Sequence, residues 1–570
     1  MSKTNLLLLL LCGCLCAKAQ TAARYDMVIT EIMADPTPVV GLPNAEYIEI
    51  RNVSSTAFNL SGWKLSDATS TATITASFVL QPDSVVVLCS NSNVAAFSVY
   101  GRTIGVASFP SLDNEGDVLT LRSPQNKVIH CVAYTSDWYG NEAKKDGGWS
   151  LEMIDAKNPC GGKENWKASI NNLGGTPGKT NSVNGTNTDA TPPQLKRAYT
   201  PDSLNIVLLF NEPLDSSSGA AVSNYSINGL SIASALSVAS QFNAVQLKLN
   251  SPLQPSTIYT ITASNVTDCK GNAIGAYNKT RIGLPQTPIS NDAVINEILF
   301  NPKSPGSDYV EVYNRSKKII DASKLYVANR SSGGLVASLK KISEDPFYLF
   351  PDDYLVVTED ASVLKGQYFV KNEDALLQLS SLPSYPDDKG NVVLIDLNGT
   401  IVDEVVYNKD WQFGLINDDE GVALERIDPG AASQSKNNWH SAAATAGYGT
   451  PTYKNSQYKR PEDVKATIDV SPKIFSPDND GRDDIADVNY KVEEPGYVAN
   501  VFIFDASGRL VRQLVKNDLL GLKGSWIWDG LGENHTKLSI GTYVVLTEIF
   551  NLQGKKKSFK QAVVLARQLN

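Results

Sequence analysis

Histidine, methionine and long apolar runs are what this 570-residue sequence has least of. The three histidines, His130, His440 and His535, fall at places with no counterpart histidine elsewhere in the chain, which leaves little from which to build an imidazole-based catalytic or metal centre. No G-x-S-x-G, H-E-x-x-H or phosphate-cradling glycine loop is present, so the common nucleophile, zinc and nucleotide chemistries have no signature, and the expectation is that the protein is not an enzyme. With four methionines and only 19% charged residues, the composition is poor in helix formers. Beyond the first twenty residues nothing is apolar for long enough to span a bilayer as a helix. A net charge of −9 argues against nucleic acid or anionic lipid as the main partner.

What is present begins with "MSKTNLLLLLLCGCLCAKAQ". One lysine, an apolar run and the small residues around Ala17-Lys18-Ala19 make residues 1–19 a secretory signal peptide, cleaved before Gln20; Leu11-Cys12-Gly13-Cys14 keeps a lipoprotein signal as the alternative. The expectation is an exported protein at the cell surface or outside it. Seven cysteines become four once that segment is removed: Cys89, Cys131, Cys160 and Cys269. Export permits disulfides; a local bridge among Cys89, Cys131 and Cys160 is one arrangement the sequence allows, leaving at least one of them a thiol beside Cys269, and the pairing of the four stays open. Elsewhere short alternating runs rich in Val, Ile and Thr are separated by Gly, Pro, Asn and Asp clusters, the pattern of all-β modules.

The chain also repeats itself. "EIMADPTPVVGLPNAEYIEIRN" from Glu31 is echoed by "EILFNPKSPGSDYVEVYN" from Glu297, and matching phrases follow in the same order. "KVIHCVAYTSDW" answers "TIVDEVVYNKDW", "GWSLEMID" answers "GVALERID", and "GGTPGKTNS" answers "YGTPTYKNS". Ordered matches of this kind indicate a duplicated domain. Glu31 and Glu49 lie 18 positions apart, whereas Glu297 and Glu311 lie 14 apart. The difference falls in a Pro/Gly-rich stretch, so each copy opens with a strand, a surface loop of variable length and a second strand.

These phrases, with "GWKLSD", "GDVLTL" and "ENW", resemble the lamin-tail domain, a compact immunoglobulin-like β-sandwich, over residues 24–182 and again over 290–456. The second copy departs from the pattern where Ser323-Lys324-Leu325 replaces Ser61-Gly62-Trp63. Between them "LNIVLLFNEPLD" and "NVTDCKGN", within residues 189–284, resemble a bacterial immunoglobulin-like domain of surface-layer and adhesin proteins. Residues 467–570, with "PDNDGRDD", "DASGRL" and "WIWDG", resemble flagellar-hook-capping immunoglobulin-like domains and the C-terminal sorting domains of type IX secretion. That last likeness implies delivery by an outer-membrane secretion machinery. The expected architecture is four tandem β-sandwich modules after a signal peptide.

Three constellations can be read two ways. The paired acids Glu31/Glu49 and Glu297/Glu311 suit acid–base or metal work, or else accept hydrogen bonds from loop N–H groups at a corner; neither pair has a third acid nearby in sequence, and the bracing role is expected. The matched indoles Trp138/Trp411 and Trp166/Trp439 stack on sugars if exposed, but are expected as core residues of small sandwiches. "PDNDGRDD" offers Asp478, Asp480, Asp483 and Asp484 as calcium ligands on a glycine turn, or as an acidic turn capping its own N–H groups. Calcium is the one cofactor this turn would suit, the two readings of it standing level, and no catalytic residue is expected. Together these point to a non-catalytic surface or secreted binding or adhesion protein whose partner is a surface protein or a carbohydrate. An accessory subunit of an exported hydrolase or nuclease and an envelope scaffold are the alternatives.

Overall fold

The computed structural model describes residues 21–458, 467–552 and 556–567. The signal peptide and lipoprotein alternative lie outside them. The regular structure of the described residues is mostly strand, with helices of a turn or two, as immunoglobulin-like β-sandwich modules require. The chain divides into two compact units, one of residues 1–253 and 258–282, the other of 254–257 and 283–570.

In the first unit a six-stranded sheet runs in the order Trp166–Ala168, Leu151–Met153, Met27–Met33, Tyr47–Asn52, Val85–Ser90, Thr103–Val106. It faces a four-stranded sheet of Val128–Thr135, Gly116–Arg122, Lys64–Ser66 and Thr71–Thr73. Ile29, Ile50, Trp63, Leu88, Leu121 and Ile129 fill the space between, and Trp63 is 1% exposed. A smaller pair of sheets follows, four strands within 195–249 against three within 225–282.

The second unit repeats the first arrangement. Its six-stranded sheet runs Leu376–Gln378, Tyr354–Thr358, Tyr309–Asn314, Ala293–Leu299, Leu424–Arg426, Trp439–Ser441, against a four-stranded sheet within 325–408. Leu325, buried in this core, stands where the first copy has Trp63, so the departure at that corner changes the size of the side chain and keeps its burial. A final pair of sheets, three strands and five, encloses Val470, Val501, Trp528 and Val545.

One local feature sets up everything below. The strands Met27–Met33 and Ala293–Leu299 are buried along their whole length. Each has a register shift, between Ile29 and Glu31 in one and between Ile295 and Glu297 in the other. A bulge adds one residue and reverses which face the following side chains take. Met27, Ile29 and Ile32 therefore reach the sandwich core while Met33 belongs to a separate cluster with Tyr47 and Phe97. The same phase change separates Ile298 from Leu299 and Tyr309. Glu31 and Glu297 are thereby turned onto the face of the sheet away from the core.

The cysteine pairing left open by the sequence is decided against a local bridge. Cys160 pairs with Cys269, joining the first sandwich to the module that follows it, and Cys89 and Cys131 remain thiols. Sequence proximity misled here because 109 residues separate two partners that module packing brings together.

Candidate functional site

On the outer face of each six-stranded sheet three glutamates stand side by side on adjacent strands. Glu31 is opposite Glu49 on one side and Glu152 on the other; Glu297 is likewise opposite Glu311 and Glu425. All six are buried. The third acids were legible in the sequence as the matched glutamates of "GWSLEMID" and "GVALERID", but their distance along the chain hid the meeting.

The closing phrase of each repeat is strapped over this row. In the first copy Glu31 accepts from Tyr47 Oη (2.6 Å), Ser150 Oγ (2.6 Å) and the Thr176 amide (2.7 Å). Glu49 accepts from Thr30 Oγ1 and the Gly178 amide, and Glu152 from Thr176 Oγ1, Ser182 Oγ and the Val183 amide. The second copy reproduces the pattern: Tyr309 and Thr450 on Glu297, Asn296 and Thr452 on Glu311, and Thr450, Ser456 and Gln457 on Glu425. Asn181 donates to the Thr30 and Met153 carbonyls, and Asn455 to those of Asn296 and Arg426. Every carboxyl oxygen in both rows has a hydrogen-bond partner. The acids therefore brace, as expected, although beneath the strap on a sheet face rather than at a sandwich end.

Proton counting gives the charge state. Thr450 Oγ1 lies 2.9 Å from both Glu297 Oε2 and Glu425 Oε1, yet a hydroxyl has one hydrogen to donate. One of the two carboxyls must carry a proton and donate to the threonine. Burial, and then the neighbouring Glu425 charge, push Glu297 up to about 8. Burial and Glu152 likewise raise Glu31 to about 7, and burial with the central glutamate raises Glu49 and Glu311 well above the carboxylate range.

His130 and Asp403, unlike in chemistry, do one job. His130 Nδ1 accepts the Ile29 amide at 2.9 Å and Asp403 Oδ2 accepts the Ile295 amide at 2.8 Å, each beside the bulge. The other histidine nitrogen donates to the Pro159 carbonyl, and burial lowers the ring to about 4, so the imidazole is neutral. Asp403 also has a partner of its own: Arg426, fully buried where the first copy has Met153, meets it at 2.8 Å and also donates to the Ile295 carbonyl.

Of the matched indoles, Trp166 and Trp439 are buried at 5% and 3%. Trp138 and Trp411 are half-buried, and each pair lines a recess at the same place in its repeat. The recess beside Trp138 has a volume of about 160 Å³ and that beside Trp411 about 730 Å³.

Two acidic groups complete the survey among the described residues. Asp478, Asp480 and Asp484 bring carboxylate oxygens within 4.8 Å of one another; Asp483 is not in that group. Asp484 accepts the Asn479 and Gly481 amides and Asp480 the Arg482 amide, so the turn is satisfied by its own N–H groups. Asp189, Glu212 and Asp268, not singled out from sequence, also converge. Burial, then Asp189 and Asp268, raise Glu212 to about 7.

With this geometry in view, comparison with known proteins identifies two segments. Residues 20–136 match the family model of the lamin tail domain and residues 181–281 that of a bacterial Ig-like domain. The lamin-tail match stops short of Glu152, Trp166 and the strap, which the structure places in the same sandwich. No curated protein matches. Among solved structures, the N-terminal part of the bacterial S-layer protein SbsC is similar at 18% identity over 29% of this chain and 45% of that one, with a TM-score of 0.17. A DUF4876 family protein from Bacteroides thetaiotaomicron is similar at 14% over 33% and 78%, TM-score 0.17. The Bacteroides ovatus protein SGBP-B, solved with a mixed-linkage heptasaccharide, is similar at 12% over 67% and 68%, TM-score 0.15. The chain spans about half the length of the S-layer structures it matches, 45% to 55%. Likeness at these scores fixes neither an alignment nor a ligand. No helix among the described residues is long and apolar enough to cross a membrane.

Proposed function

We propose that this is a non-catalytic binding or adhesion protein, exported and held at the cell surface or released, whose repeated sandwiches present a binding surface to a surface protein or carbohydrate. The observation that carries this is the occupancy of the acids. Six buried glutamates, matched between the two copies and of a residue type that hydrolases use, have every oxygen engaged by the chain itself. A general acid or base needs a free oxygen within reach of substrate. Residues 467–570 are proposed to direct the protein through an outer-membrane secretion machinery.

The test uses the mature chain from Gln20. Retention on envelope extract or immobilised glycans, with no turnover of ester, phosphate or glycoside substrates, is expected. Turnover that Glu297→Gln or Glu31→Gln abolishes overturns the non-catalytic reading. Deleting residues 467–570 is expected to leave the remainder inside the cell, and unchanged surface display removes the sorting role.

A further inference from the structure

We propose that the recess beside Trp411 is an oligosaccharide-binding cleft. This rests on the reading of the chain as a binding protein and names the site and ligand class.

At about 730 Å³ the recess falls in the size range of ligand sites, roughly 300–1,000 Å³, whereas its counterpart beside Trp138 at about 160 Å³ falls below it. The difference has a structural cause within each unit. Beside Trp138, Cys160 is tied covalently to Cys269, and Arg24 lies 3.9 Å over the Phe242 ring while donating to the Leu214 carbonyl, which draws the following module in. Beside Trp411 no such tie is made among the described residues. Phe413 instead packs on Val498, Leu519 and Phe550 to form an apolar seam. Gly496 closes one side so tightly that a Cβ there would lie 2.9 Å from His440 Nε2.

The lining selects the ligand. A sugar ring offers a face of polarised C–H groups to an indole and a rim of hydroxyls to planar polar side chains. Trp411 is half-buried, and Asp410, Lys436, Asn437 and Glu494 stand exposed around it. A peptide strand would need the edge Trp439–Ser441 of the six-stranded sheet. That edge is blunted: the Trp439 amide closes a turn onto the Lys436 carbonyl, and the Ser441 carbonyl accepts from Gln457 Nε2. With that amide and that carbonyl engaged, a strand would lose two of its ladder bonds, and recognition falls to the indole and the polar rim.

The experiment presents the mature full chain to immobilised neutral and uronic-acid-containing oligosaccharides of several sugars, with titration calorimetry on any that is retained. Trp411→Ala is expected to weaken binding about tenfold, as loss of one stacking face should, and Trp411→Phe to recover most of it. The rim variant Asn437→Ala, at an exposed turn position, is expected to weaken binding without moving the melting temperature. Trp138→Ala is expected to leave binding unchanged. Failure to retain any oligosaccharide, or binding indifferent to both Trp411→Ala and Asn437→Ala, overturns the cleft. Capture of an envelope protein in either case leaves the binding-protein reading standing; a captured protein lost on Trp411→Ala overturns the carbohydrate assignment specifically.

Discussion

Replacing Glu297 by glutamine separates the two roles open to a buried carboxyl. In the unfolded chain this group has the ordinary value near 4.5, and in the sandwich burial and Glu425 lift it to about 8. Between those limits the folded protein holds a proton that the unfolded chain has released. Stability is thus full below about pH 4.5 and falls as pH rises through 8. A difference of about 3.5 pH units corresponds to a loss on the order of 5 kcal/mol across the window. Glutamine is the neutral form made permanent. Its Oε1 can accept from Tyr309 and the Thr450 amide as Glu297 Oε1 does, at 2.7 and 2.8 Å, while its Nε2 donates to Thr450 Oγ1, 2.9 Å from the oxygen it replaces. Glu297→Gln is therefore expected to be close to neutral at pH 5 and stabilising by several kcal/mol at pH 8. Because the modules need not unfold together, the measurement is hydrogen exchange of the strand Ala293–Leu299 in variant and wild type at both pH values, where titrating groups outside the glutamate row cancel in the difference. A variant more destabilised at pH 8 than at pH 5 refutes the protonation argument.

Three further perturbations test the same framework. Asn455→Ala removes both buried donors that pin the strap, leaving the Asn296 and Arg426 carbonyls without them; a loss of about 2–4 kcal/mol is expected in chemical denaturation of the second unit. Arg426→Met removes the cation from the buried Asp403 pair and should cost about 3–5 kcal/mol, whereas Asp403→His with Arg426→Met installs the pairing of the first copy and should recover most of it in the same assay. Cleaving Cys160–Cys269, whose partners are 109 residues apart, should cost the first unit about 4 kcal/mol and leave the second unit's melting unchanged in calorimetry with and without reductant.

Much of the architecture was open to reading before any coordinates. The alternation of apolar residues, the ordered echo from Glu31 and Glu297, and the closing T-P-x-x-x-N-S phrases established strands, duplication and a conserved ending within the chain. The bracing role of Glu31, Glu49, Glu297 and Glu311 was legible too, because neither pair has a catalytic companion near it. What escaped was every relation that depends on sheet order. Glu152 reaches Glu31 from 121 positions away only because Leu151–Met153 lies next to Met27–Met33. His130 and Asp403 looked like a mismatch between copies until both were seen accepting the same amide.

By itself, then, the sequence determined that the chain is β throughout, that one sandwich is written twice, and where each copy begins and ends its strap: periodicity and repetition are local properties of a string. Only tertiary structure decided which acids share a proton, which cysteines pair, and that one indole recess is drawn shut while its twin stays open. Those outcomes turn on which strands lie side by side and on how closely one module packs on the next, and a bulge of one residue at Thr30 and Asn296 is enough to set the face on which the acids stand.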